Sequence, residues 1–264
     1  MSLLPPPLEP VRPGLLRTVA PVTRLTVAAV WLLVAFAGID PRVPAILLVA
    51  AVASLVFLSG LPLAGSLRRL APLVLAAGGI ALLTLLVHPS RADPSVPALI
   101  DVGPLRITGP AFAAALALAL RLAVIAVSSL LVFGPSDTTT FADSLAQQWR
   151  VPDRFAYGTL AALRIAPFLA ADWATGSAVR RLRGIARRGP AARVRDVGAR
   201  LLALLVSAVR RGERMALAMD ARGFDAGRRR SRFRPIRLGV RDLVVLVAGC
   251  AVAAIAAAAG TLPA

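Results

Sequence analysis

Two arginine–glycine pairs carry the clearest chemistry in this sequence. One is Leu182-Arg183-Gly184; the other is Ala221-Arg222-Gly223, flanked by Asp220 and Phe224. Each closes a stretch with helical periodicity. Glycine suits the left-handed position that stops a helix, and the arginine before it projects from the tip beside the negative end of the helix dipole. A guanidinium there can make forked, charge-assisted contacts with a carboxylate on another protein. One such tip is ordinary capping. Two at matched ends of consecutive helices make a two-pronged connector.

The other reactive side chains assemble into nothing comparable. The sequence has one cysteine, Cys250, and one histidine, His88. That leaves no disulfide framework and no ligand set for zinc, haem or an iron–sulfur cluster. His88, Asp93 and Asp101 share one loop but form no acid–base or metal motif. No glycine-rich phosphate loop ending in Lys-Ser or Lys-Thr is present, and every basic residue is arginine;. The chain is therefore read as a non-enzyme with no catalytic residue and no metal or cofactor of its own.

The elements that must position the two tips are mostly apolar. Of 264 residues, 58% are hydrophobic, and the mean hydropathy is +0.76. The apolar residues come in blocks near or above the 18–20 residues needed to cross a ~30 Å hydrocarbon layer. These blocks are Pro21–Ile39, Pro44–Leu63, Leu70–Val87, Pro110–Phe133 and Leu243–Leu262. The fold class expected is all-α: a polytopic membrane protein of about five transmembrane helices with two or three long cytoplasmic helices. The expected divisions are a Pro-rich lead-in at 1–20, spans one to four at 21–134, a cytoplasmic helical region at 135–237 and a last span at 238–264. The lead-in has no uninterrupted apolar core of the secretory-signal kind.

Net charge is +18, and its placement sets orientation. Arg12, Arg17 and Arg24 precede or open the first span, and Arg68 and Arg69 fall between the second and third. More than half of the arginines lie between Arg180 and Arg237. The loops at 40–43 and 88–109 are poorer. The positive-inside rule then puts the N-terminus and the long helices in the cytoplasm and the C-terminus outside. The 88–109 loop, rich in Pro, Gly and Asp, reads as irregular and external. Arg121 falls mid-way along the fourth span, so it must face the bundle interior, as part of an ion pair or as a substrate contact.

Between 135 and 237 three helices are expected. Ser136-Asp137-Thr138 supplies an N-cap for the first, which ends near Trp149-Arg150. Pro152 suits the first turn of the second, running toward Arg183 with Pro167 able to kink it. Gly189-Pro190 breaks the chain before the third, 191–222. There Val194, Val197, Leu201, Leu204, Leu205, Ala208, Met215 and Met219 recur at helical spacing, with Arg193, Asp196, Arg200, Ser207, Arg211 and Arg214 on the other side;. Such a helix can lie on a membrane or on a partner.

At the arginine–glycine tips the sequence resembles the transmembrane T component of energy-coupling factor (ECF) transporters, the vitamin and transition-metal importers of prokaryotes. That family carries Ala-Arg-Gly-type motifs at the ends of two long coupling helices. Here the second is intact within Glu213–Phe224, and the first has Leu182 in place of alanine. The stretches Leu105–Gly109 and Ala119–Leu122 are also similar. The resemblance implies that two ABC-type ATPases bind Arg183 and Gly184 at one tip and Ala221, Arg222 and Gly223 at the other. It implies a small membrane-embedded capture subunit against apolar positions such as Leu201, Leu205, Ala208, Met215 and Met219. ATP would be hydrolysed by the partners, and the residence would be a prokaryotic cell membrane.

Rival readings fit less well. A permease or scaffold of another transporter class predicts one coupling segment, not two. Nucleic-acid binding has a basic cluster, Arg228-Arg229-Arg230-Ser231-Arg232, but thin aromatic interleaving; just ahead of the last span, that cluster is better suited to anionic lipid.

Overall fold

A computed structural model of the chain describes residues 14–38, 40–91, 95–102, 105–182, 189–224 and 235–261. It is almost wholly helical. The described helices are α1 (Pro21–Ala37), α2 (Arg42–Phe57), α3 (Leu63–Val87), α4 (Gly109–Phe133), α5 (Thr138–Gln148), α6 (Asp153–Leu182), α7 (Pro190–Ala221) and α8 (Val240–Thr261). The chain divides into two compact units: Leu145–Pro235 form one, and Pro6–Ser144 with Ile236–Ala264 form the other.

The larger unit holds the five apolar helices. Three of them, α3, α4 and α8, are long and apolar enough to cross a membrane. Two shorter apolar helices, α1 and α2, accompany them. Little of α3 and α8 is buried within the protein, and leucines and valines such as Leu75, Leu83, Leu243 and Val247 stand exposed. That pattern suits a hydrocarbon solvent, in which apolar side chains need no protein cover. The chain is a multi-pass membrane protein. The third span begins seven residues earlier than its apolar block, so Arg68 and Arg69 belong to the first turns of α3, not to a loop.

Polar groups on one helix satisfy the ends of another. Asp242 sits in the first turn of α8, where its Oδ2 accepts the Gly239 N–H at 2.8 Å, a reciprocal cap of its own helix. Its Oδ1 accepts the Ala20 N–H at 2.7 Å and the Thr23 hydroxyl at 3.2 Å. Helix α1, which has no capping side chain of its own, thereby borrows one from α8. The same two helices meet further along, where Trp31 Nε1 donates to the Gly249 carbonyl at 2.9 Å. A Cβ on Gly249 would come within 2.5 Å of Val27, so glycine permits this close parallel approach.

Helices α1 and α4 run antiparallel and exchange arginines. Buried Arg24, near the start of α1, donates through Nη1 to the Leu131 carbonyl in the last turn of α4 at 3.3 Å and through Nη2 to Ser136. Arg121, on α4, donates through Nε to the Ala35 carbonyl at 2.8 Å and through Nη2 to the Gly38 carbonyl. Each guanidinium thus closes the C-terminal end of the other helix, where carbonyls lack intrahelical partners and the dipole is negative. The half-buried Arg121 does face the bundle interior. There it donates to backbone carbonyls of α1 and its C-cap.

The 88–109 segment is more ordered than its composition suggests. Strands β1 (Ala98–Val102) and β2 (Leu105–Thr108) form an antiparallel hairpin. The alternation that supports it occupies only five and four residues, too few to stand out among the prolines. His88 Nδ1 hydrogen-bonds the Ser90 hydroxyl at 2.8 Å, and that hydroxyl hydrogen-bonds Thr108 Oγ1 at 2.6 Å. His88 is a structural link here. Asp93 lies outside the described residues, and Cys250 is exposed on α8.

Replacing Arg121 with methionine keeps bulk but leaves the last turn of α1 without its donors. We expect a loss of about 1–3 kcal/mol of stability, read as a lower midpoint of thermal unfolding in detergent. An unchanged midpoint would contradict the capping role.

Candidate functional site

Helices α6 and α7 form the long part of the second unit. The connection before α6 is made by Arg150, a non-glycine residue at φ +52°, and Pro152, whose carbonyl accepts the first α6 amides from Phe155 and Ala156. Pro152 thus precedes the first turn, and α6 runs unbroken through Pro167 to Leu182. Gly189, at φ +111°, turns the chain into Pro190, which opens α7 with its preset φ;.

The two helices lie antiparallel, and their shared seam is polar. Arg180 pairs with Asp196 at 2.8 Å, and Arg200 pairs with the same carboxylate from one turn away. Arg200 also donates to Ser177 at 3.1 Å and lies over the Trp173 ring, 5.6 Å from its centroid. Arg211 pairs with Asp172 at 2.9 Å and lies over Phe168 at 5.7 Å. Ser207 donates to the same Asp172 at 3.3 Å. The guanidinium groups of Arg200 and Arg211 therefore serve twice, as donors to carboxylates and as flat cations over rings;.

Beyond that seam the contact turns apolar. Ala208, Gly212, Met215, Ala216 and Met219 of α7 line a groove of about 430 Å³ with Gly158, Ala161 and Ile165 of α6. At its end Phe224 meets Tyr157 edge to face, with centroids 6.2 Å apart. The start of α6 thus lies beside the end of α7.

This corrects the helical-wheel division of α7. Asp196, Arg200, Ser207 and Arg211, expected on the side opposite the apolar positions, face α6. Leu201 and Leu205 point away and are 55% and 60% exposed, with Val194, Val197, Leu202 and Val209 exposed beside them. Ala208, Met215 and Met219, expected on one apolar face with Leu201 and Leu205, are half-buried along the α6 groove. The line of contact drifts around α7 from its first half to its second, as it does when two helices cross at an angle.

The tip of α7 is closed by its own backbone. Gly223 has φ +73°; its N–H reaches the Asp220 carbonyl at 2.9 Å, and the Phe224 N–H reaches the Met219 carbonyl at 3.0 Å. This is the paired bonding of a Schellman stop, with Phe224 and Met219 lining the groove together as its apolar contact;. The Met219 and Asp220 carbonyls are thereby satisfied by backbone alone. Arg222, which occupies the cap position, is exposed along with Ala221 and Gly223. Arg183 and Gly184 follow Leu182 in sequence and lie outside the described residues, as do Arg228–Arg230 and Arg232.

A model of the family described as cobalt transport protein, CbiQ, matches residues 15–233. The match takes in α1 to α7 and the α7 tip. The chain belongs to the CbiQ family. This is the family of ECF transporter T components, membrane components of transporters that work with ATPase subunits and not an enzyme family. No curated protein matched the chain. Among the described residues no group of three or more His, Cys, Asp or Glu could hold a metal ion.

Several contributors escaped the sequence reading. Asp172, Trp173 and Phe168 were visible only as a charge and two apolar residues on α6, with no local signal that they receive the arginines of α7. Tyr157 likewise gave no hint of its ring contact with Phe224.

Replacing Gly223 with valine puts a β-branched residue in the left-handed region, at a cost of about 1–3 kcal/mol. We expect faster amide exchange at Gly223 and Phe224 positions and a redirected Arg222. Gly198→Ala, mid-helix with nothing within 4 Å of the added Cβ, is the control and should leave exchange at the tip unchanged. Equal exchange at the tip in both variants would contradict the need for glycine there.

Proposed function

We propose that this chain is the coupling subunit of an ECF-type importer for cobalt or a vitamin in a prokaryotic cell membrane. Two ABC-type ATPases bind and hydrolyse ATP and grip the two tips, Arg183-Gly184 and Ala221-Arg222-Gly223. A small membrane-embedded subunit captures the substrate and packs on the outward apolar face of α7 around Leu201 and Leu205. Ala208, Met215 and Met219 hold α6 against α7, backing that face instead of forming it. The N-terminus and the α5–α7 region lie in the cytoplasm and the C-terminus outside, following the arginines.

The observation that carries this reading is the α7 tip. A helix end already closed by Gly223 and Phe224 has no need of Arg222 as a cap, and an exposed guanidinium so placed suits an acidic groove on a partner. The antiparallel arrangement adds the spacing. With 30 residues in α6 and a rise of 1.5 Å each, the ends of the pair lie about 45 Å apart. A globular domain of roughly 200 residues has a radius of gyration of about 16 Å, hence a diameter of about 40 Å. Two such domains side by side match two tips so spaced. Rotation of the ATPases on ATP binding would then move both ends of one stiff helix pair, and the pair would tilt whatever packs on its apolar face. Substrate choice belongs to the capture subunit.

Arg183→Glu with Arg222→Glu places like charge against acidic grooves at both tips. We expect loss of ATPase co-purification from native membranes while the chain still inserts, and a smaller loss for each single change. Full ATPase recovery with the double variant would defeat the proposal.

A further inference from the structure

The hairpin that joins α3 to α4 carries two large apolar side chains at its surface. Ala98 pairs with Thr108 and Ile100 with Ile107, so Leu99 is the extra residue of a bulge in β1. Bulges re-aim side chains, and here Leu99 is 65% and Ile100 48% exposed. The ribbon itself is held in place. Strand β2 packs on α3 and α4, buried Thr108 hydrogen-bonds Ser90, and Arg106 Nη2 donates to the Val96 carbonyl at 2.9 Å.

The position of the ribbon follows from the helices on either side. Arginines in the first turns of a span reach one interface; in α3 these are Arg68 and Arg69. Val87, the last residue of α3, stands 18 residues beyond Arg69. That is about 27 Å of helix at 1.5 Å per residue, against a hydrocarbon layer of ~30 Å. The end of α3 therefore comes to the opposite edge of the hydrocarbon. Val87 there is exposed, as is Phe112 in the first turn of α4.

We infer that the β1–β2 hairpin lies in the headgroup layer of the membrane face opposite Arg68 and Arg69, anchored there by Leu99 and Ile100 inserted toward the acyl chains. Three observations favour a lipid surface as its partner. The exposed pair sits on the segment that directly joins two lipid-exposed helix ends. A two-stranded ribbon has two open edges, and open edges do not occur within hydrocarbon. The backbone therefore stays where water can meet it, and only the side chains reach deeper. Finally, Asp101 stands opposite Arg106 in the register. Opposite charges placed across two strands offset each other, so the ribbon needs no charged partner. Such an anchor holds the α3–α4 connection to the membrane surface. The inference rests on the chain being a membrane protein and on neither partner of the coupling reading.

The test uses the full chain alone in phosphatidylcholine nanodiscs, with exposed Cys250 replaced by alanine. A nitroxide is attached in turn at Leu99→Cys and Ile100→Cys, surface positions whose change leaves the packed side of the ribbon intact. Its collisions with oxygen, which concentrates in lipid, are compared with those of a water-soluble nickel chelate. Leu83→Cys on the exposed side of α3 gives the hydrocarbon reference, and Glu213→Cys on α7 the aqueous one. Oxygen collisions should exceed nickel collisions at both hairpin positions, reversing the order found at Glu213, with a smaller excess than at Leu83. Nickel collisions as frequent as at Glu213 would overturn the inference and leave the apolar pair as a surface for a protein. An oxygen excess equal to that at Leu83 would overturn it as well, since the ribbon would then lie within the hydrocarbon.

Discussion

A helix end has backbone groups with no partner inside the helix, and away from water each one left unmatched costs free energy. Most of the distinctive contacts in this protein answer that constraint. In the membrane unit the answer comes from neighbouring helices. Asp242 closes the starts of α1 and α8 together, and Arg24 and Arg121 close the ends of α4 and α1. These contacts fix the direction and register of helices whose apolar surfaces alone would slide past one another in lipid. At the end of α7 the answer is different. The backbone closes itself through Gly223 and Phe224, and the arginine that could have served as a cap is left facing outward.

The α6–α7 pair shows the same economy of arginine in reverse. Its seam uses Arg180, Arg200 and Arg211 against Asp196 and Asp172, with Trp173 and Phe168 beneath them. Individually, half-exposed ion pairs of this kind contribute little, about 1 kcal/mol or less. Their value lies in specificity: two shared carboxylates set one register between two long helices. With the polar residues facing inward, the leucines and valines of α7 are turned out, a surface that needs cover. A pair locked in register and greasy on the outside is suited to carry motion from its ends to a partner on its flank.

Much of this was legible in the sequence, and the divide has a physical basis. Local signals read well: the apolar blocks, the Gly189-Pro190 break, the approach to α6 at Pro152 and the glycine that stops α7 all depend on neighbours within one turn. What escaped depends on distant partners. Arg121 looked like a charge in want of a carboxylate because backbone carbonyls have no sequence signature. Arg68 and Arg69 looked like a loop because a hydropathy window penalises charge, although arginine at the first turns of a span can snorkel to the interface. The face of α7 was divided by angle alone, which presumes one straight line of contact, whereas a crossing partner moves that line around the helix. So Leu201 and Ala208, close together on a wheel, end up exposed and half-buried respectively.

The claim at the centre of the account is that the two ends of the α6–α7 pair and its middle meet different partners. Site-specific photo-crosslinking in native membranes separates them, with the photoreactive residue placed in turn at Leu182, Ala221 and Leu205. The account predicts that Leu182 and Ala221 each capture an ATP-binding subunit, while Leu205 captures a small apolar membrane protein. Capture of the ATPase from Leu205, or of no ATPase from either tip in an intact transporter, would contradict it.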